Sequence, residues 1–282
     1  MPARRSFYDV LTDAVRDITL HGYDSVARLT FWIEEIRKAA LADMIPEHVL
    51  QERLQSTFSS IYMRMVEHDG LLRLHPEISR FTYDQVKPRL RRELDRRILA
   101  SADLIVLNRK AAVESTIQRF SGWMTSIPAG GSRAVDKKDV KDNIRKALAQ
   151  LPFEERRVVT DQGHKFSSEL SNILAVDSNA IAAIWHSNWR QMNYNYRKDH
   201  KERDLHVYTI RGNWALQQGL MKVGKYGYTD QITKPAEEVF CRCHYEYVYN
   251  LASLPSDMIT RKGKDRLAAA DKKIAALRAA AA

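Results

Sequence analysis

The chain has 282 residues, 44% hydrophobic and 28% charged, with a net charge of +10. This composition excludes a disordered chain, and no run of about 18 apolar residues is present to span a membrane. The start, "MPARRSFYDVL", lacks the apolar stretch and small-residue cleavage site of a secretory signal, so the chain is expected to stay in the compartment where it is made.

The first 125 residues read as helices. Phe7, Val10, Leu11, Ala14 and Ile18 recur at helical spacing. Gly22 and Tyr23 interrupt, and Ser25 caps a second run through Val26, Leu29, Trp32, Ile33 and Ile36. Pro46 ends that run. A third run carries Val49, Leu50, Leu54, Phe58, Ile61 and Met65. Thr82 with Gln85 three residues later predicts a capping box. It opens a helical stretch of about 40 residues, to Trp123, with Pro88 near its start; a break near Ser101 would divide it in two. A helix so long is expected to pack on a partner or a neighbouring copy.

"SIPAGGSRAVDKKD", residues 126–139, reads as a linker and sets the expected domain boundary. Two helices are expected after it, "DVKDNIRKALAQL" and a second one opening at Pro152. Three strands follow: "NAIAAIWHS", "HVYTI" and "EVFCRCHYEYVYN". In the last, period two puts Cys241, Cys243, Tyr245, Tyr247 and Tyr249 on one face. The alanine-rich tail, "KDRLAAADKKIAALRAAAA", is helix-prone. The expected fold is therefore α+β. A helical docking region spans 1–125 and a linker 126–139. A smaller α+β module with a short antiparallel sheet spans 140–255, and a basic helical tail 256–282.

Two thiols on one strand face can converge on one ion. The segment "YRKDHKERDLHVY" offers His200, with Asp204 or His206, to complete a tetrahedral zinc centre that would fasten the small sheet. A packed cysteine pair with His200 hydrogen-bonded nearby satisfies the same pattern. P-loop, G-x-S-x-G and G-x-G-x-x-G templates are all missing. Cys241 with His200 as a thiol nucleophile lacks a marked orienting group, and thiolates are poor Mg²⁺ ligands for a nuclease. Trp185, Trp189, Arg190, Tyr194, Tyr196 and Arg197 mix rings with charge; they can stack on bases or pack on the core.

The positive surplus is uneven: residues 1–125 carry about +2 and the remainder the rest. A basic balance favours polyanions through counterion release; a solvated basic surface accounts for it equally. Arg89, Arg91, Arg92, Arg96 and Arg97 in "KPRLRRELDRR", with Lys272 and Lys273 in the tail, are the candidate nucleic-acid contacts.

"RKDHKERDLHVY" followed by "GYTDQITKPAEEVFCRCHYEYV" resembles the phage Mu F-like head morphogenesis family, minor capsid proteins of tailed bacteriophages. Arg197 and His200 match the family's arginine and histidine, and Asp204 its aspartate. Val207 and Tyr208 match its β-like pair, and Pro235 with Cys241, Arg242 and Cys243 its proline and C-R-C. Leu205 stands where the family has glycine, so a differently shaped loop is expected there. The match covers residues 150–250.

The resemblance implies a structural role in head assembly, with no enzyme activity. It implies residence inside the capsid of the virion, after synthesis in the host cytoplasm. The implied partners are the portal protein, other capsid or scaffold proteins and packaged DNA, with no membrane and with self-association through the long helix. As to cofactors, the residues themselves admit either a structural zinc or a metal-free thiol pair. A module whose role is DNA handling, and a metal-dependent hydrolase, are the alternatives.

Overall fold

The computed structural model describes residues 5–281. Residues 1–4 of the expected docking region and residue 282 of the tail lie outside it. The chain divides into two compact units: Met1–Ser56 with Ile98–Thr160, and Thr57–Arg97 with Asp161–Ala282. The expected boundaries, 1–125, 126–139, 140–255 and 256–282, do not coincide with these units. No helix among the described residues is long and apolar enough to cross a membrane.

The first unit is helical. It holds α1 (Phe7–His21), α2 (Val26–Ala42) and most of α3 (Glu47–Tyr62). The later part of α5 (Arg80–Ser126) and the earlier part of α6 (Lys137–Asp177) complete it. A capping box between Ser6 and Asp9 starts α1, and Ser25 caps α2 as expected. Leu11, Ile18, Ile36, Phe120, Met124 and Ile144 are buried in one core.

The expected linker is a packed turn inside this unit. Gly130 N–H donates to the His21 carbonyl and Ser132 N–H to that of Thr19, both at 3.0 Å. Gly22 (φ 72°) is required there, since a Cβ would lie 1.8 Å from the Pro128 carbonyl oxygen.

The two helices expected on either side of Pro152 are one helix, α6, with the proline inside it. A proline interrupts one backbone bond, a cost that buried side chains on both sides outweigh: Ile144 and Leu151 before it, Phe166 and Leu170 after it. The stretch around Ser101 is likewise unbroken. At the start of α5, Ser79 caps the helix, its hydroxyl accepting from Thr82 N–H at 3.1 Å. The predicted Thr82 capping box thus gives way to a cap three residues earlier.

The second unit holds a three-stranded antiparallel sheet in the order β2-β1-β3. The strands are β1 (Ala182–His186), β2 (Val207–Thr209) and β3 (His244–Val248). The short helices α4 (Gly70–Leu74), α7 (Lys198–Glu202) and α8 (Trp214–Gln217) and the terminal α9 (Arg261–Ala281) belong to it too. Alternation along β1 feeds two cores. Ala182 packs with Leu220, Val248, Leu251 and Met258, while Ala183 and Trp185 pack with Tyr208, Cys241, Cys243 and Tyr245.

The thiols share a side with Tyr245, but they precede β3 rather than lying in it. Pairing with β1 stops at His186–His244, so residues before 244 have no partner strand.

Candidate metal centre

His200 sits in α7 and is buried. Its Nδ1 lies 3.5 Å from the Cys241 sulfur and 3.6 Å from the Cys243 sulfur. The three ligand atoms fall within 4.8 Å of one another, and among the described residues this is the one group able to hold a metal ion. Both cysteines are free thiols. The cysteines also line a cavity of about 510 Å³ with His164 and Ser171.

The loop carrying the thiols is held under strain. Ala236 (φ 64°) and Phe240 (φ 59°) adopt the left-handed region, which costs a non-glycine residue about 1 kcal/mol or more each. Ala236 N–H thereby donates to the Cys241 sulfur at 3.3 Å, and Phe240 N–H to the Asp161 carboxylate at 2.6 Å. The neighbouring Cys243 thiol holds the pKa of Cys241 down, against the effect of burial, with the Ala236 N–H assisting. Cys243 is pushed up by its neighbour Cys241 and by burial.

Three buried polar atoms around this cluster have no hydrogen-bond partner: His200 Nε2, Trp185 Nε1 and Tyr245 Oη. The Trp185 ring meets His200 edge-on at 5.2 Å and Tyr245 at 5.6 Å.

The other expected ligands are engaged elsewhere. The Asp204 carboxylate accepts from Ser187 N–H at 2.8 Å and from Trp189 Nε1 at 3.0 Å. Burial works to raise its pKa, but these two donors outweigh it and hold it below the ordinary carboxylate range. His206 stacks on Tyr226 at 3.6 Å. Neither completes the centre.

Leu205 (φ 64°) takes the left-handed conformation that suits glycine. Its N–H bonds the Trp185 carbonyl at 2.7 Å, while Trp185 N–H bonds the His206 carbonyl at 2.9 Å. The tight turn is therefore present despite the leucine, contrary to the expected change of loop.

The remaining motif residues surround the thiols. Arg197 Nε reaches Glu238 Oε2 at 2.6 Å, and its NH2 donates to the Val239 carbonyl at 3.0 Å. The Pro235 carbonyl accepts from Ser168. Arg242 N–H donates to the Tyr194 hydroxyl, and the Arg242 carbonyl accepts from Asn188. Trp185 is fully buried and serves the fold, while Trp189, half-buried, bonds Asp204 through Nε1 and carries Arg190 and Lys201 over its ring. Glu238 and Ala236 escaped the sequence reading; the "AEEVFC" run marks neither.

The candidate nucleic-acid contacts divide. Arg89 pairs with Asp177 and Arg91 with Asp95. Arg96 and Arg97 both pair with the buried Glu93, and the Arg97 side chain is only 11% exposed. Turned inward, Arg97 is not a surface contact. Arg92, Lys272 and Lys273 are exposed.

A scan against protein-family models and searches of curated proteins and of solved structures each returned no match.

Proposed function

We propose that this protein is an assembly protein whose C-terminal module is cross-linked by a zinc on His200, Cys241 and Cys243, the fourth position being left to water since Asp204 and His206 are engaged elsewhere. More particularly, we infer a minor capsid protein of a tailed phage that acts in head morphogenesis. It would sit at the portal inside the capsid, without enzymatic turnover.

The observation that carries this reading is the convergence of residues 41 to 43 positions apart in the chain. Zinc bonds of about 2.3 Å to sulfur and about 2.0 Å to nitrogen, at tetrahedral angles, hold sulfur and nitrogen about 3.5 Å apart. The observed separations are 3.5 and 3.6 Å. Thiolate and imidazole suit zinc rather than Mg²⁺. Bound zinc would supply cross-linking between α7 and the loop ahead of β3, and the charge that satisfies two thiolates. The left-handed turn at Leu205 further supports the resemblance, since that position is glycine in the family.

Two measurements test the proposal on the full chain. Purified protein should carry one zinc, lost in His200→Ala together with thermal stability. It should also bind the purified portal ring of the same phage in sedimentation. A chain that carries zinc but ignores the portal defeats the morphogenesis reading and leaves the clamp standing. Hydrolysis of DNA or peptidoglycan that disappears with His200→Ala would replace the structural role by a catalytic one.

A further inference from the structure

A histidine that binds a metal through Nδ1 must carry its proton on Nε2, and that proton needs an acceptor. Two carboxylates approach His200 Nε2: Glu238 Oε2 at 3.6 Å and Asp199 Oδ2 at 3.9 Å. The Asp199 oxygen is drawn toward Arg203, whose NH2 donates to it at 2.8 Å. Glu238 is held in place instead. Arg197 Nε grips its Oε2 at 2.6 Å, and the Thr233 hydroxyl faces its Oε1 at 3.4 Å. The same guanidinium bonds the Val239 carbonyl, two residues ahead of Cys241. Arg197 also stands at the N-terminal boundary of α7, so one side chain ties the His200 helix to the thiol loop.

From this arrangement, and resting on the reading of the cluster as a metal centre, we propose that Glu238, fixed by Arg197, is the positioning residue of the site. Its carboxylate is the nearest acceptor for the Nε2 proton that metal binding through Nδ1 requires. This gives the buried, partnerless Nε2 a role and explains why an arginine precedes the histidine by three residues. Asp199, half exposed and shared with Arg203, contributes little.

The test uses the full chain, reduced and metal-free, titrated with Co(II), whose thiolate charge-transfer and d–d bands report binding by His200, Cys241 and Cys243. Glu238→Met, which removes the acceptor, should weaken Co(II) binding by about 10–100-fold. Arg197→Met should do the same to a smaller degree, while Glu238→Gln, which keeps an acceptor oxygen, restores the affinity in part. Should Glu238→Met and Arg197→Met melt like the wild type and bind Co(II) as tightly, the inference is overturned while the centre stands. A wild-type chain that takes up no Co(II) overturns the metal centre and this inference together.

Discussion

His75 shows what burial does to a single titratable side chain. The ring is 2% exposed, with Nδ1 2.6 Å from the Tyr249 hydroxyl and Nε2 2.9 Å from that of Ser171. Burial lowers its pKa from 6.5 to about 4, so the native state keeps it neutral. The sign follows from linkage. Between about pH 4 and 6.5 the unfolded chain binds the proton and the folded chain does not, so stability is lost as the pH falls through that window. The full effect is roughly 3 kcal/mol. Urea unfolding at pH 7 and pH 5 should show this loss in the wild type. In His75→Gln, which keeps polar atoms for both neighbours but cannot titrate, the dependence should be visibly flatter. Equal slopes in the two proteins would remove His75 as the cause. Leu205 makes a related point: a strained backbone persists where two bonds to β1 hold it.

At the level of helices and strands, α9 turns on one glycine. Glycine inside a helix costs about 1 kcal/mol relative to alanine, so its presence calls for a local reason. A Cβ on Gly263 would lie 2.1 Å from the Leu220 carbonyl oxygen and 2.8 Å from the Ile259 side chain. The helix therefore approaches backbone, which cannot step aside, and Leu267 packs on the same core. Gly263→Ala should destabilise the second unit by about 1–3 kcal/mol despite alanine's better helix propensity. Thermal unfolding checks this, and a rise in melting temperature would show that α9 is not seated there. The long α5 carries a similar lesson. Its apolar residues are buried within the chain, Tyr83, Leu90 and Leu94 in one unit and Ile105, Ile117 and Phe120 in the other. Its length alone therefore demands no external partner, and Leu99 and Leu107 are among the apolar residues it leaves exposed.

Across the whole chain, the charge of +10 bears on polyanion binding. Of the candidate arginines, Arg97 alone is turned inward, while Arg89, Arg91 and Arg96 stay more than half exposed beside their carboxylates, and the other exposed basic element is α9. Lys272 and Lys273 are adjacent and exposed on it. If DNA is a partner held by α9, Lys272→Gln with Lys273→Gln should lower the slope of log affinity against log salt by about two. An unchanged slope would dismiss α9 as the contact.

Much of the architecture could be read from residue order. The helices around Leu11, Ile36 and Phe58, the strand at Trp185 and the α+β class follow from periodicity, because a buried stripe must repeat with its element. His200, Cys241 and Cys243 were legible as metal-ligand types in one region, and they do meet. Three things were not legible. The fourth-ligand candidates Asp204 and His206 lie near in sequence, but a turn onto β1 and a stacked tyrosine claim them first. Glu238 carries no pattern and acquires a role through Arg197 and the His200 ring. The unit boundaries fall inside α5 and α6, since unbroken helical periodicity carries no mark of where one core ends and the next begins. Local pattern reports which face is buried; it does not report against what, and that choice is made by side chains distant in the chain competing for the same partners.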